Sequence, residues 1–243
     1  MGLATRVVCI ARDRPDFDLG VHLTLNSEMP RYRWRPLTGV AANGLTDPAG
    51  YFWPDLADAR RAQPEAVEIE LRAQIDAALA AGIDVTHLDS HMGTIMMPEL
   101  LEIYLRLGED YRLPILLPRN VVDLAPPGTH DAQAVATYEA AFARLTHRGN
   151  PDFDWFVQTP WSNSGDVIEA YRELFATIEP GLSWIALHFT APGDIELFSE
   201  DAATRIAEYD LFRSEKGSAL LDAAGLTFVG MRPFRDKLRS SSA

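Results

Sequence analysis

The feature that most constrains this chain is its alternation of short apolar runs with longer segments of helical periodicity. Val67, Leu71, Ile75 and Leu79 recur every fourth position between Pro64 and Ala81, and Gly82 stops the pattern, which predicts a helix. A strand is expected at once over Asp84 to Asp89. A second helix spans Pro98 to Arg112, opened by its proline and carrying Leu101, Tyr104 and Leu105 on one side, and a short apolar strand follows at Leu113 to Pro118. The order repeats with a helix Ala134 to His147, a strand Trp155 to Gln158, a helix Asp166 to Ile178 and a strand Ser183 to Phe189. It closes with a helix Asp201 to Ala224, stopped by Gly225, and a strand Leu226 to Met231. Near the start, Leu19 to Leu25 alternates short apolar residues around His22 and reads as a strand. Strands separated by helices pair in parallel through crossovers, so an α/β fold is expected. Ligands in such folds gather at the carboxyl ends of the strands.

Three side chains at one strand end carry chemistry. In Thr86-His87-Leu88-Asp89-Ser90-His91, residues two and four apart share a face, so His87, Asp89 and His91 can project together. One histidine at a strand end is ordinarily a capping or core hydrogen-bonding residue. Three potential ligands on one face favour a divalent-metal site or a carboxylate-oriented imidazole. His22 can add a ligand from another strand, and His188 falls where its strand should finish. His130 and His147 read as surface or capping residues. Ser90 points to the opposite face from Asp89 and His91, and no Gly-x-Ser-x-Gly elbow or glycine-rich phosphate loop occurs, which argues against a serine hydrolase and a nucleotide enzyme.

Composition narrows the classes. At 243 residues and 47% hydrophobic, the chain can form one α/β barrel, a fold of about 250 residues. We expect a single domain over 1–239 with a long loop insertion at about 26–63, and a disordered tail over 240–243. A formal charge of −13 argues against nucleic acid and anionic lipid as partners. Cys9 is the only cysteine, so any metal site must use histidine and carboxylate. No run reaches the roughly 18 apolar residues of a membrane span, and Met1 to Ile10 lacks the pattern of a signal peptide, so a cytoplasmic location is the expectation.

Gly20-Val21-His22-Leu23-Thr24-Leu25, followed by Thr86-His87-Leu88-Asp89-Ser90-His91, resembles the YdjC-like carbohydrate deacetylases, over about Pro15 to Arg235. Leu187-His188-Phe189 stands where that family has a late His-Pro-Gly motif. The resemblance implies a TIM-like (β/α) barrel of parallel strands. It implies a divalent metal ion, Mg2+ or Zn2+, held by one Asp and two His, with His22 and His91 as the histidine ligands and His188 as a candidate acid or base. The family's Asn-Ala-Asp-Asp-Phe-Gly-like opening motif has no counterpart in this chain, so either the chain start is misplaced or the barrel lacks its first βα unit, and the general base is left open. Asp89 is the candidate to replace it; Asp13, Asp16 and Asp18 read as turn-formers. The implied activity is metal-dependent removal of an acetyl group from an N-acetylated sugar or oligosaccharide. A catalytically silent relative that still binds a sugar or metal, and another metal-dependent hydrolase on this scaffold, are the alternatives. A small carbohydrate is the expected partner, on whose rings the loop aromatics Tyr32, Trp34, Tyr51, Phe52 and Trp53 could stack if they do not simply pack the loop down. A missing first unit would leave the edge of a strand at Thr5 to Ile10 open, so a homodimer through Val7, Val8 and Ile10 is also expected.

Overall fold

The computed structural model describes residues 8–11, 13–39, 43–120, 131–161 and 165–240. The described strands are β1 (Leu19–Leu23), β2 (Val85–Ser90), β3 (Trp155–Gln158) and β4 (Ser183–Ala186). The helices are α1 (Leu56–Ala59), α2 (Pro64–Ala80), α3 (Leu101–Tyr111), α4 (Ala132–His147), α5 (Val167–Ala176), α6 (Ala202–Phe212), α7 (Glu215–Ala224) and α8 (Arg232–Ser240). β1 pairs in parallel with β2, and β3 with β4. Leu113 to Pro118 runs between the two pairs and joins them by single parallel bridges, Leu88 to Ile115 and Pro118 to Phe153. All five extended segments therefore run parallel in chain order, the arrangement that strand and helix alternation predicts. Among the described residues the hydrogen bonds do not close this array into a barrel.

Several helix starts follow from their capping residues. Asp131 and Asp166 accept backbone N–H groups at the starts of α4 and α5, and Pro64 opens α2, where its missing donor costs nothing. The main core packs Val67, Leu71 and Ile75 of α2 and several residues of α3 and α4 against Leu23, Val85 and Leu88 of the first strands. Two fully buried tyrosines satisfy strand carbonyls from the helix layer: Tyr104 donates to Leu88 O at 3.0 Å and Tyr138 to Pro118 O at 2.7 Å. A second, smaller core of Tyr171, Phe175, Leu211 and Leu220 lies under the C-terminal half, with Ile185 and Leu187 packed on it.

The region 26–63 is a folded insertion. Glu70 of α2, fully buried, accepts from the backbone N–H of Leu37 and Thr38, from the Thr38 hydroxyl and from Gln74, which pins the loop to the helix. Phe52 joins the core and Trp53 donates to Gly44 O at 2.8 Å, so these aromatics pack the loop down, whereas Tyr32 stays exposed and stacks on Phe198.

Four expectations are corrected. Leu226 to Met231 is not a strand; it pairs with no extended segment among the described residues, and Phe228 and Val229 stay exposed. The single helix expected over Asp201 to Ala224 breaks at Arg213 and Ser214, because the Ser214 side chain accepts from Gly217 N and starts a new helix. Val8 to Ala11 is helical rather than strand, its bonding continued by Arg14 N to Ile10 O; Thr5 to Val7 lie outside the described residues. Ser240 ends α8 rather than opening a tail, and 241–243 also lie outside them.

Candidate active site

The parallel register of β1 on β2 sets His22 directly beside Asp89. His22 Nδ1 lies 2.9 Å from Asp89 Oδ2, and His22 Nε2 lies 3.2 Å from His91 Nδ1. His91 opens a 3-10 turn after β2 in which Met92 and Gly93 both take left-handed backbone, φ 52° and 68°. For Met92 that conformation is uncommon and costs roughly 1–3 kcal/mol, so the surroundings must impose it. Buried Thr94 does so in part, its hydroxyl lying 3.0 Å from His91 O and 2.7 Å from Asn26 Oδ1. The far nitrogen of His91, Nε2, meets Glu28 Oε2 at 2.8 Å.

These contacts dictate where the protons sit. A carboxylate can only accept, so His22 donates from Nδ1 to Asp89 and His91 donates from Nε2 to Glu28. In a neutral pair, His22 Nε2 and His91 Nδ1 then turn lone pairs toward each other across 3.2 Å. Two lone pairs at that separation repel; a shared proton or a cation between them removes the repulsion. An imidazole whose second nitrogen is held by a carboxylate is also the arrangement in which histidines bind metals. Burial disfavours charge on His22, but the hydrogen bond and charge of Asp89, with Glu28, outweigh it and hold the imidazole above its ordinary pKa. Burial likewise raises Glu28, yet His91 prevails and holds that carboxyl below the usual range. Among the described residues, no three His, Cys, Asp or Glu side chains gather in a metal-holding group.

His87 sits one layer deeper. Its ring occupies the space beside Gly20, where an added Cβ would lie 2.3 Å from Nε2, and it packs edge-on against Trp184 of β4, which in turn meets Phe153. Side chains from β2, the segment before β3, and β4 thus meet on one face of the array, in the space that Gly20 of β1 leaves free. Burial depresses the His87 pKa and keeps it neutral, so it serves as packing under the site.

His188 lies two residues beyond β4. Its Nδ1 is 2.8 Å from the Thr159 hydroxyl, which follows β3, and its ring packs 4.8 Å from that of Trp161. Arg205 of α6 lies over Trp161 and forms a two-pronged ion pair with Asp201 at 2.9 Å. Burial, then the charges of Arg205 and His22, push the His188 pKa down to about 4. His91 follows β2 directly and His188 lies two residues past β4, so both stand beyond the carboxyl ends of parallel strands.

His22, Asp89 and His91, all singled out from the sequence, come together; His188 stands past β4 beside Thr159 and Trp161, and His87 faces inward. Glu28, Thr159 and Arg205 were not read from the sequence, and the expectation that Glu208 belongs with Asp210, Arg213 and Glu215 to a solvated charged face is corrected by its burial. Glu28 lies in the insertion just past the first histidine strand, and Glu208 lies in a run of charges that resembles any solvated helix face; only its 1% exposure marks it out.

The chain is thus an α/β protein of parallel strands with a carboxylate-backed histidine pair at the ends of the first two. The chain belongs to the YdjC-like protein family, whose model matches residues 1–223. It is 38% identical over 196 residues to a carbohydrate deacetylase of Thermus thermophilus, a match covering 79% of this chain and 69% of that one. A carbohydrate deacetylase of Brevibacillus brevis is 37% identical over 111 residues, covering 46% of this chain and 42% of the relative, so this chain spans less than half of that protein. The crystal structure of a candidate cellobiose-phosphate cleavage protein from Enterococcus faecalis superimposes with a TM-score of 0.70 at 22% identity, covering 94% of this chain and 82% of that one. That likeness supports the parallel α/β fold.

Proposed function

We propose that this protein is a metal-dependent hydrolase that removes acetyl groups from N-acetylated sugars or oligosaccharides. The observation that carries the reading is the pair of imidazoles, each held by a carboxylate through one nitrogen and each presenting the other to a shared point. The names of the Thermus and Brevibacillus relatives agree with it. His22 Nε2 and His91 Nδ1 fit a divalent ion, Mg2+ or Zn2+, as a partial ligand set. Such an ion supplies Lewis-acid polarisation of the acetyl carbonyl.

The chain's own residues divide the remaining work. Asp89 and Glu28 fix the orientation and tautomer of the two imidazoles. His188 moves the proton that the departing sugar amine requires, since amide cleavage releases a poor leaving group unless its nitrogen is protonated. Trp161 and Arg205 flank that histidine, and Tyr32 with Phe198 provides an exposed aromatic wall at the loop. A flat apolar wall of this kind suits the face of a sugar ring.

The test pairs metal content with acetate release from N-acetylated chito-oligosaccharides. We expect one divalent ion per chain, lost in His91→Ala and kept in His147→Ala, with acetate release falling in step. Equal metal content in all three proteins would refute the histidine assignment. Bound metal without turnover on any acetylated sugar would favour the silent relative.

A further inference from the structure

We propose that Glu208 is a positioning residue which, through the Thr159 hydroxyl, fixes the tautomer of His188 so that its imidazole meets the substrate with Nδ1 protonated and Nε2 bare. The inference rests on the reading of His188 as the proton carrier and goes beyond it by assigning the direction of its first transfer.

Glu208 is almost completely buried on α6, as are Thr159 and Tyr171, at 1%, 2% and 0% exposure. Its carboxyl collects three donors. Oε1 accepts from the Thr159 hydroxyl at 2.8 Å and from the Tyr171 hydroxyl, and Oε2 accepts from the backbone N–H of His188 at 2.7 Å. An ionised carboxylate satisfies all three contacts with no clash of protons. Thr159 has a single hydroxyl proton, and it is committed to Glu208. What Thr159 offers His188 Nδ1, 2.8 Å away, is therefore a lone pair, so Nδ1 must carry the hydrogen. Water does not compete at these buried groups. Nε2 has no protein partner among the described residues.

An imidazole so prepared begins as a proton acceptor. Nε2 takes a proton from the attacking water as its oxygen bonds to the acetyl carbon. The imidazolium then returns that proton to the sugar nitrogen as the carbon–nitrogen bond breaks. Water is thereby divided between acetate and amine, and His188 ends in the tautomer in which it began.

The tautomer can be read without activity by two-bond 1H–15N correlation spectra of the full-length, 15N-histidine-labelled protein, with the His188 signals identified by their loss in His188→Asn. We expect Nδ1–H in the wild type and in Tyr171→Phe, which removes a donor to Glu208 and leaves the relay intact. In Thr159→Val, which keeps the shape and deletes the relay, we expect a shift to Nε2–H. A wild-type signal from Nε2–H, or an unchanged tautomer in Thr159→Val, would overturn the proposal. Acetate release separates the underlying reading: kcat in Thr159→Val should fall at least about tenfold with KM unchanged, within the usual range of a positioned acid or base. A tautomer shift with unchanged kcat would support the positioning through Thr159 and remove His188 from the chemistry.

Discussion

At the scale of residues, the site is a contrast between imidazoles with opposite surroundings. His22 is held above its ordinary pKa by Asp89, whereas burial and the neighbouring cation Arg205 hold His188 down at about 4. That depression links pH to stability. Between about pH 6.5 and 4 an unfolded chain would bind a proton at His188 that the folded chain refuses, so protons favour unfolding across this window. The contribution is fully present above the unfolded value and is lost as pH falls toward 4. Urea midpoints at pH 7 and pH 5 should therefore differ more in the wild type than in His188→Asn; equal differences would mean that His188 is not held neutral. The sequence made Asp89, His91 and His188 visible because each falls at a strand end, and His22 because it stands alone within an apolar run. It hid Glu28 and Glu208, whose roles depend on contacts from distant parts of the chain.

At the scale of elements, helices were more legible than strands. The fourfold spacing in α2 and the apolar side of α3 gave those helices to within three residues at each end. The break between α6 and α7 escaped because Ser214 interrupts no apolar period; it competes locally, by side-chain hydrogen bond, with the helix that would have continued. Leu226 to Met231 has the composition of a strand but none of the backbone partners that make one. The β1–β2 pair depends on a small residue in the right place. An added Cβ at Gly20 would meet three atoms of the His87 ring at 2.3 to 2.6 Å, and that ring is confined by Trp184. Gly20→Ala should thus cost about 1–3 kcal/mol, the scale of overpacking a filled interior, even though alanine is the less entropically costly residue. It should also weaken metal binding two residues away at His22. A chemical denaturation midpoint matching the wild type would show that the His87 layer yields without cost.

At the scale of the whole molecule, the two ends of the described chain are tied together. Arg232 pairs with Asp18 and Asp84, and largely buried Arg235 pairs with Asp84 at 2.5 Å and donates to Val85 O at 3.1 Å, so α8 clasps the amino ends of β1 and β2. The net charge of −13 gave no hint of this clasp, since composition records the sum of charges and not which opposite charges lie together. The parallel arrangement, in contrast, followed from the strand–helix alternation alone.

The histidine pair and His188 rest on different cores. His22 and His91 stand over the larger one, while His188 and Glu208 stand over the small cluster of Tyr171, Phe175, Leu211 and Leu220. Clusters of unequal size open with unequal free energies, the smaller one more often. Native-state hydrogen exchange should therefore find amides of α5, α6 and α7 exchanging through openings that leave α2 and α3 protected. During such an opening the histidine pair keeps its carboxylates, while His188, the proposed proton carrier, loses its hold on Thr159 and Glu208. The fraction of time that the small cluster stays closed would then cap the working lifetime of the enzyme on heating, and activity would be lost before the bulk of the helical signal. Coincident loss of both, with uniform exchange across the helices, would show that the two cores melt as one.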